Sequence, residues 1–259
     1  MRIRYIPADP AGNLTALVLS PVAPDQRAAI AARLMREEGM EQAAFIDEES
    51  LLSPLPRMDM MGGEFCGNAT RAFGLYAARR RGLGERELLV RVSGAREPVN
   101  VTLDEARERA FARMPLPYAL ESILVDHPAA KTPVPVVRMD GIAHAVLLET
   151  PPSPALAQAV LGAMPREDAQ GVLFTKGTRM TPLVYVAATG TSVWESSCGS
   201  GSVALAWLLA KDLPDGKHAF RFEEPGGTLE VSIAMRMGRA EFATMGGRVT
   251  LGAQREAGV

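Results

Sequence analysis

One motif is written twice along this chain, and the two copies constrain what it can fold into. Gly62-Gly63-Glu64-Phe65-Cys66-Gly67-Asn68-Ala69-Thr70 leads into an apolar run ending near Ala78. Trp194-Glu195-Ser196-Ser197-Cys198-Gly199-Ser200-Gly201 leads into a second run, Ser202 to Ala210. The 259 residues hold two cysteines, and both stand in this setting. Two cysteines in a chain this size are usually inert and buried; the shared glycine-flanked context argues for a common task instead. Loop–helix units in both parts of the chain predict two related halves, 1–117 and 118–259. The break falls at Pro115-Leu116-Pro117-Tyr118, with the last strand free to pack back on the first half.

A helix N-terminus leaves four N–H groups unpaired and carries a partial positive charge. A cysteine placed there is expected to have a stabilised thiolate and a lowered pKa. The N–H groups around Gly67-Asn68 and Gly199-Ser200 are suited to an anion such as a carboxylate, and the glycines allow close approach. Two such turns facing one cleft would clamp a carboxylate and flank the adjacent carbon with a thiol and a thiolate. That is an acid and a base on opposite faces of one carbon.

Phe65-Cys66-Gly67-Asn68-Ala69 and Ser197-Cys198-Gly199-Ser200-Gly201 resemble the cysteine motifs of the diaminopimelate epimerase family. That superfamily includes proline and histidine racemases, and the wording around both cysteines is closer to the histidine racemase branch than to true diaminopimelate epimerases. The resemblance implies an amino-acid racemase or epimerase that works without pyridoxal phosphate, Cys66 and Cys198 being its acid–base pair. It implies an α+β fold of two pseudo-symmetric halves, each a curved, mostly antiparallel sheet around a central helix, with no cofactor and no metal.

The same resemblance nominates further residues. Gly12-Asn13 reads as a hairpin turn or, by the family's pattern, places Asn13 on the substrate. Gln42 is a polar residue entering a strand or the family's substrate-binding glutamine. Where diaminopimelate epimerases carry an asparagine ahead of the first cysteine, this chain has Arg57, while the acidic residue two positions on survives as Asp59. The family's Gly-Asn-Pro-His becomes Gly141-Ile142-Ala143-His144, so His144 reads first as a buried, hydrogen-bonded histidine and second as a general base. The arginine-bearing signature before the second cysteine becomes Ala188-Thr189-Gly190-Thr191-Ser192-Val193, without arginine, and Glu195 stands near the family's acidic position. A site lacking required hydrogen-bond partners discriminates strongly against the substrate that needs them. Histidine is therefore the leading substrate and diaminopimelate the runner-up, with Asp59, Glu64 or Glu195 available to pair with an imidazole and Trp194 to stack on it.

Composition narrows the remaining classes. An apolar content of 47% suffices for a large core, and a net charge of −2 gives no reason to expect nucleic acid or an anionic membrane as partner. Arg79-Arg80-Arg81-Gly82 is a solvated helix end before it is a nucleic-acid patch. The N-terminus lacks a signal peptide's apolar stretch and no run is long enough for a membrane span, so a cytoplasmic location with reduced thiols is expected. The resemblance implies a small-molecule amino acid as the partner, and a homodimer is compatible with this chain. Gly199-Ser200-Gly201-Ser202-Val203-Ala204 also fits a dinucleotide fingerprint, but its βαβ context is lacking. A thiol-redox protein and an amino-acid binder without turnover are the alternatives of another class. The tail 252–259 is expected to be loosely held.

Overall fold

The computed structural model describes residues 2–82, 84, 86–128, 133–187 and 190–258. The chain forms two compact units, residues 1–113 with 246–259, and residues 114–245. The architecture is α+β and dominated by sheet.

In the first unit, β1 (Arg2–Asp9) turns back through Gly12 (φ 85°) onto β2 (Thr15–Val18) in antiparallel register. Next comes β3 (Gln42–Asp47), which lies parallel to β2. A parallel pair needs a crossover, and α1 (Pro24–Glu38) supplies it. Pro24 opens that helix where a missing N–H is harmless, and Gly39 closes it at φ 69°. Ile30, Ala31 and Leu34 of α1 pack on Ile3, Tyr5, Ala16 and Val18.

After a 3-10 turn (Glu48–Leu52), β4 (Arg57–Met60) returns antiparallel to β3. A second crossover, α2 (Gly67–Arg81), leads to β5 (Glu87–Val92), parallel to β4. β6 (Val99–Asp104) and β7 (Arg109–Arg113) follow in antiparallel succession. Every residue of α2 from Gly67 to Ala78 is buried, so this helix is the floor of the unit's larger core. A Cβ at Gly74 would stand 2.7 Å from Val101 Cγ1, which shows how closely helix and sheet approach. The arginines of the last turn behave as a helix end: Arg81 Nη1 donates to Ser53 O (3.1 Å), and Gly82 ends the helix at φ 65°.

The C-terminal tail is not loose. Thr250–Leu251 and Arg255–Gly258 pair antiparallel with β1, placing Tyr5 opposite Arg255 and Ile3 opposite Ala257. Burial of Ala257 among Ile3, Tyr5 and Leu34 holds a stretch whose polar composition suggested otherwise.

In the second unit, β8 (Ala119–Ile123), β9 (Val134–Met139) and β10 (Ile142–Leu147) form an antiparallel series. His144 therefore lies inside a strand, opposite Val137 of β9 and Gly171 of the next strand. A helix, α3 (Pro154–Ala163), capped by Ser153 Oγ accepting from Leu156 N–H (3.3 Å), crosses to β11 (Ala169–Lys176), parallel to β10. β12 (Arg179–Val186) pairs antiparallel with β11 and with β13 (Thr191–Trp194). Then α4 (Gly199–Ala210) leads to β14 (Gly216–Glu224), which lies parallel to β12 at Arg179 and Glu223. β15 (Gly227–Arg236) returns antiparallel to β14, and β16 (Arg239–Arg248) follows, its residues 239–245 belonging to this unit and 246–248 to the first. α3 buries Leu156, Ala157 and Val160 against Val136, Ala145, Val172 and Phe174. Among the described residues, no helix is long and apolar enough to cross a membrane.

Candidate functional site

Cys66 is the N-cap residue of α2, in extended conformation (φ −128°, ψ 113°), and its sulfur accepts from Ala69 N–H at 3.5 Å. Its carbonyl accepts from Thr70 N–H (2.9 Å) and Thr70 Oγ1 (2.7 Å). The loop before it is held from the β5 side. Ser93 Oγ accepts from Met60 N–H (2.7 Å) and donates to Glu64 O (3.0 Å). A Cβ on Gly94, which sits at φ 71°, would be 2.2 Å from Phe65 N. Only glycine permits both that approach and that conformation. One turn into α2, the fully buried Arg71 donates through Nε to Asn68 Oδ1 (3.2 Å) and through Nη1 to the carbonyls of Gly247 (3.3 Å) and Arg248 (2.9 Å).

Cys198 is the N-cap of α4 with nearly the same backbone (φ −124°, ψ 104°) but a different surrounding. Its N–H donates to Glu224 Oε2 at 2.7 Å, and Glu224 Oε1 accepts from Ser202 Oγ at 2.6 Å. Its sulfur lies 3.6 Å from Ser200 Oγ, which in turn lies 2.9 Å from His144 Nε2. The sequence predicts a lowered pKa for a cysteine at a helix start; for Cys198 the structure reverses this. Burial pushes the thiol well above its ordinary value, the Glu195 and Glu224 carboxylates push it further, and the Ser200 hydroxyl and Gly201 N–H only partly oppose them. Cys198 is 5% exposed, and desolvation penalises the thiolate more than one helix end stabilises it.

His144 has no exposed surface, and burial lowers its pKa to about 3. The imidazole is neutral at physiological pH, so it serves Ser200 as a hydrogen-bonding partner. It has room because Gly171 stands directly opposite in the parallel ladder; a Cβ there would be 2.0 Å from His144 Nδ1. This gives a pH prediction with a defined sign. The unfolded chain binds a proton at His144 near its ordinary value of about 6.5, and the folded chain does not until about pH 3. His144 thus lets full stability stand above about pH 6.5 and removes about 1.4 kcal/mol per pH unit as pH falls through that window. Urea unfolding at pH 7 and pH 5 is expected to show this slope reduced in His144→Asn.

Asn13 and Gln42 form one buried network. Gln42 Nε2 donates to Asn13 Oδ1 (2.7 Å) and Thr15 Oγ1 (2.8 Å), and Asn13 Nδ2 donates to Glu41 Oε2 (3.1 Å). Met61 N–H donates to Ala43 O (3.1 Å), so this network shares a sheet end with the loop to Cys66. Arg57 stands opposite Asp47 at the other end of β3, roughly 16 Å from Gln42 at the usual strand rise. Its guanidinium binds Asp59 (3.1 Å), which also binds Arg27 (2.9 Å). Arg57 and Asp59 border a shallow pocket of about 220 Å³ with Arg91, Ser93 and Gly94. Trp194 lies on β13, 39% exposed, with its ring 5.8 Å from that of Phe174. Ala188 and Thr189, in the stretch that replaces the family's arginine signature, lie outside the described residues. Among the described residues, no three His, Cys, Asp or Glu side chains are grouped as metal ligands.

The motifs alone did not nominate Glu224, Arg71, Ser93, Gly94 or Gly171. For Gly171 a signal existed: a lone glycine inside a strand marks a close approach. For Glu224 none did, because it belongs to a hairpin far along the chain.

Residues 2–257 match the family described as histidine racemase CntK N-terminal domain. A histidine racemase of Fusobacterium nucleatum is 31% identical over 248 residues, covering 88% of this chain and 89% of the relative. Among solved structures, a hydroxyproline epimerase from Agrobacterium vitis with bound trans-4-hydroxy-L-proline aligns with a TM-score of 0.71 at 13% identity, covering 99% and 92% of the two chains. A PhzF-family phenazine biosynthesis protein of Bacillus anthracis gives a TM-score of 0.65 at 14% identity, covering 100% and 99%. At such identities these structures speak for the shared fold.

Proposed function

The chain belongs to the histidine racemase family, and from that premise we propose that it inverts the α-carbon of histidine by a two-cysteine, two-base mechanism without a cofactor. It is an isomerase of the amino-acid racemase class. The observation that carries the mechanistic reading is that both cysteines are N-cap residues of helices opening with glycine. In addition, both units contain the order strand, antiparallel strand, crossover helix, parallel strand, antiparallel strand, crossover helix, parallel strand, the second unit adding β8 before it and β13 ahead of α4. That common order supports reading the units as repeats of one design, α2 and α4 being equivalent central helices.

In this mechanism Cys198, held protonated, delivers a proton to one face of the α-carbon while Cys66 removes one from the other. For the opposite enantiomer the roles exchange, so the proton inventory belongs to the pair. Negative charge developing on the α-carboxylate is met by backbone N–H groups around Gly67-Asn68 and Gly199-Ser200. Asn13 and Gln42 supply polar contacts beside the Cys66 loop. Glu195 and Trp194 are assigned to the imidazole, because Asp59 is already bound by two guanidiniums. His144 acts through Ser200. Diaminopimelate lacks support here: Ile142 replaces one of the family's polar positions, and the relatives are named for histidine.

The test is α-proton exchange in D₂O. Reduced protein incubated with L-histidine is expected to lose the α-proton NMR signal while D-histidine accumulates on a chiral column, and L,L-diaminopimelate is expected to stay unchanged. No exchange with histidine or any other amino acid under reducing conditions would remove the racemase mechanism and leave a binder or thiol-redox protein.

A further inference from the structure

The second cysteine is held by a residue outside its own motif. The turn between β14 and β15, Glu224-Pro225-Gly226-Gly227, reaches the loop before α4 at two points. Gly226 N–H donates to Ser196 O at 2.8 Å, and Glu224 Oε2 accepts from Cys198 N–H at 2.7 Å. The other carboxylate oxygen accepts from the Ser202 hydroxyl, one turn into the helix, at 2.6 Å. Glu224 is buried. A carboxylate is costly to bury unless its oxygens are bonded, and these are bonded to the loop and the helix that carry Cys198.

We propose that Glu224 is the positioning residue of Cys198, fixing with one carboxylate both the backbone that carries the sulfur and the first turn of α4. The inference rests on the reading of Cys198 as a reacting group. Its first consequence is geometric: the distance from Sγ to Ser200 depends on where this clamp sets the N-cap. Its second is electrostatic, since a fixed negative charge beside the thiol opposes ionisation. The groups facing the thiol are Glu195 on the loop, Glu224 from β14, Ser200 and the Gly201 N–H on α4, and neutral His144 of β10 behind Ser200. Of the two carboxylates, Glu224 is the one bonded to the Cys198 backbone.

Glutamine separates the two consequences. In Glu224→Gln the amide oxygen accepts from Cys198 N–H and the amide nitrogen donates to Ser202 Oγ, so the clamp remains and the charge is gone. In a Cys66→Ser background, the ultraviolet absorbance of the thiolate, read against the Cys66→Ser/Cys198→Ser protein, titrates Cys198 alone. Glu224→Gln is expected to lower that midpoint by about one pH unit, roughly tenfold more thiolate at a fixed pH below it. With both cysteines present, Glu224→Ala is expected to lower kcat about 10²-fold with little change in KM, as a small misplacement of a reacting group does. Glu224→Gln is expected to recover most of that loss. An unmoved midpoint in the glutamine protein, or wild-type kcat in the alanine protein, would overturn the proposal. Should Glu224→Ala fail to fold, Ser202→Ala removes one anchor and must lower kcat by a smaller factor; an unchanged kcat counts against the clamp. The titration needs no turnover, so a protein that does not racemise histidine leaves it readable.

Discussion

Replacing either cysteine by serine is expected to lower histidine racemisation by roughly 10²- to 10⁴-fold, the usual worth of a positioned acid or base, with the fold intact. The expectation of an intact fold has a local reason. Both cysteines occupy N-cap positions, where serine is among the preferred residues, so Ala69 N–H keeps an acceptor in Cys66→Ser. What is lost is a group that can give up and regain a proton near neutral pH, because a serine hydroxyl ionises far above a thiol. The two variants should also differ in kind. In Cys198→Ser, the enantiomer whose α-hydrogen faces Cys66 is expected to exchange its proton slowly with D₂O without inverting; in Cys66→Ser, the residual exchange belongs to the other enantiomer. Chiral chromatography and NMR on the same samples distinguish exchange from inversion. A variant that retained near-normal racemisation would exclude two bases, and loss of exchange for both enantiomers in one variant would leave a single base acting on both.

How much of this was legible in the sequence depends on where the determining contact lies. The loop–helix starts were readable because their cause is local: cysteine, glycine and a helix-forming run are contiguous, and α2 and α4 begin at Gly67 and Gly199. The end of α2 was readable for the same reason, Gly82 being a terminator on inspection. Asn13 and Gln42 were nominated separately, and their mutual hydrogen bond depends on β2 and β3 lying parallel, a pairing across a crossover. The pKa of Cys198 could not be read from its motif. The helix end that lowers it is local, as is the Glu195 carboxylate that raises it, whereas the burial that raises it most and the Glu224 carboxylate come from residues elsewhere in the unit. The strand Arg255–Gly258 was misjudged because its order comes from β1, at the other end of the chain. Local chemistry thus nominates candidate reacting groups, and contacts distant in sequence set the surroundings of Cys198.

Arg71 is where such distant contacts bear most on stability. Arg71→Met, which keeps much of the apolar stem, is expected to destabilise the first unit by about 3–5 kcal/mol. The guanidinium supplies donors to Asn68 Oδ1 and to the carbonyls of Gly247 and Arg248 in a place with no exposed surface. A thioether offers no donor, so buried acceptors are left to be satisfied by other means, at about 1–3 kcal/mol for each one orphaned. Arg71→Lys keeps the charge but not the planar fork that spans acceptors in different directions, and is expected to recover only part of the loss. Urea unfolding followed by circular dichroism measures both, and a loss under about 1 kcal/mol in Arg71→Met would show that the carbonyls find other donors. The variant also separates structure from chemistry. Asn68 belongs to the turn that opens with Cys66 and is bonded to Arg71 through its side chain, so loosening it should lower kcat even where the folded fraction is complete. Asn68→Ala leaves the two carbonyl bonds of Arg71 in place, and is expected to lower kcat with a much smaller loss of stability. If instead both variants lost stability equally, the bond between Asn68 and Arg71 would be the main anchor of the first turn, and the carbonyls of 247 and 248 only incidental acceptors.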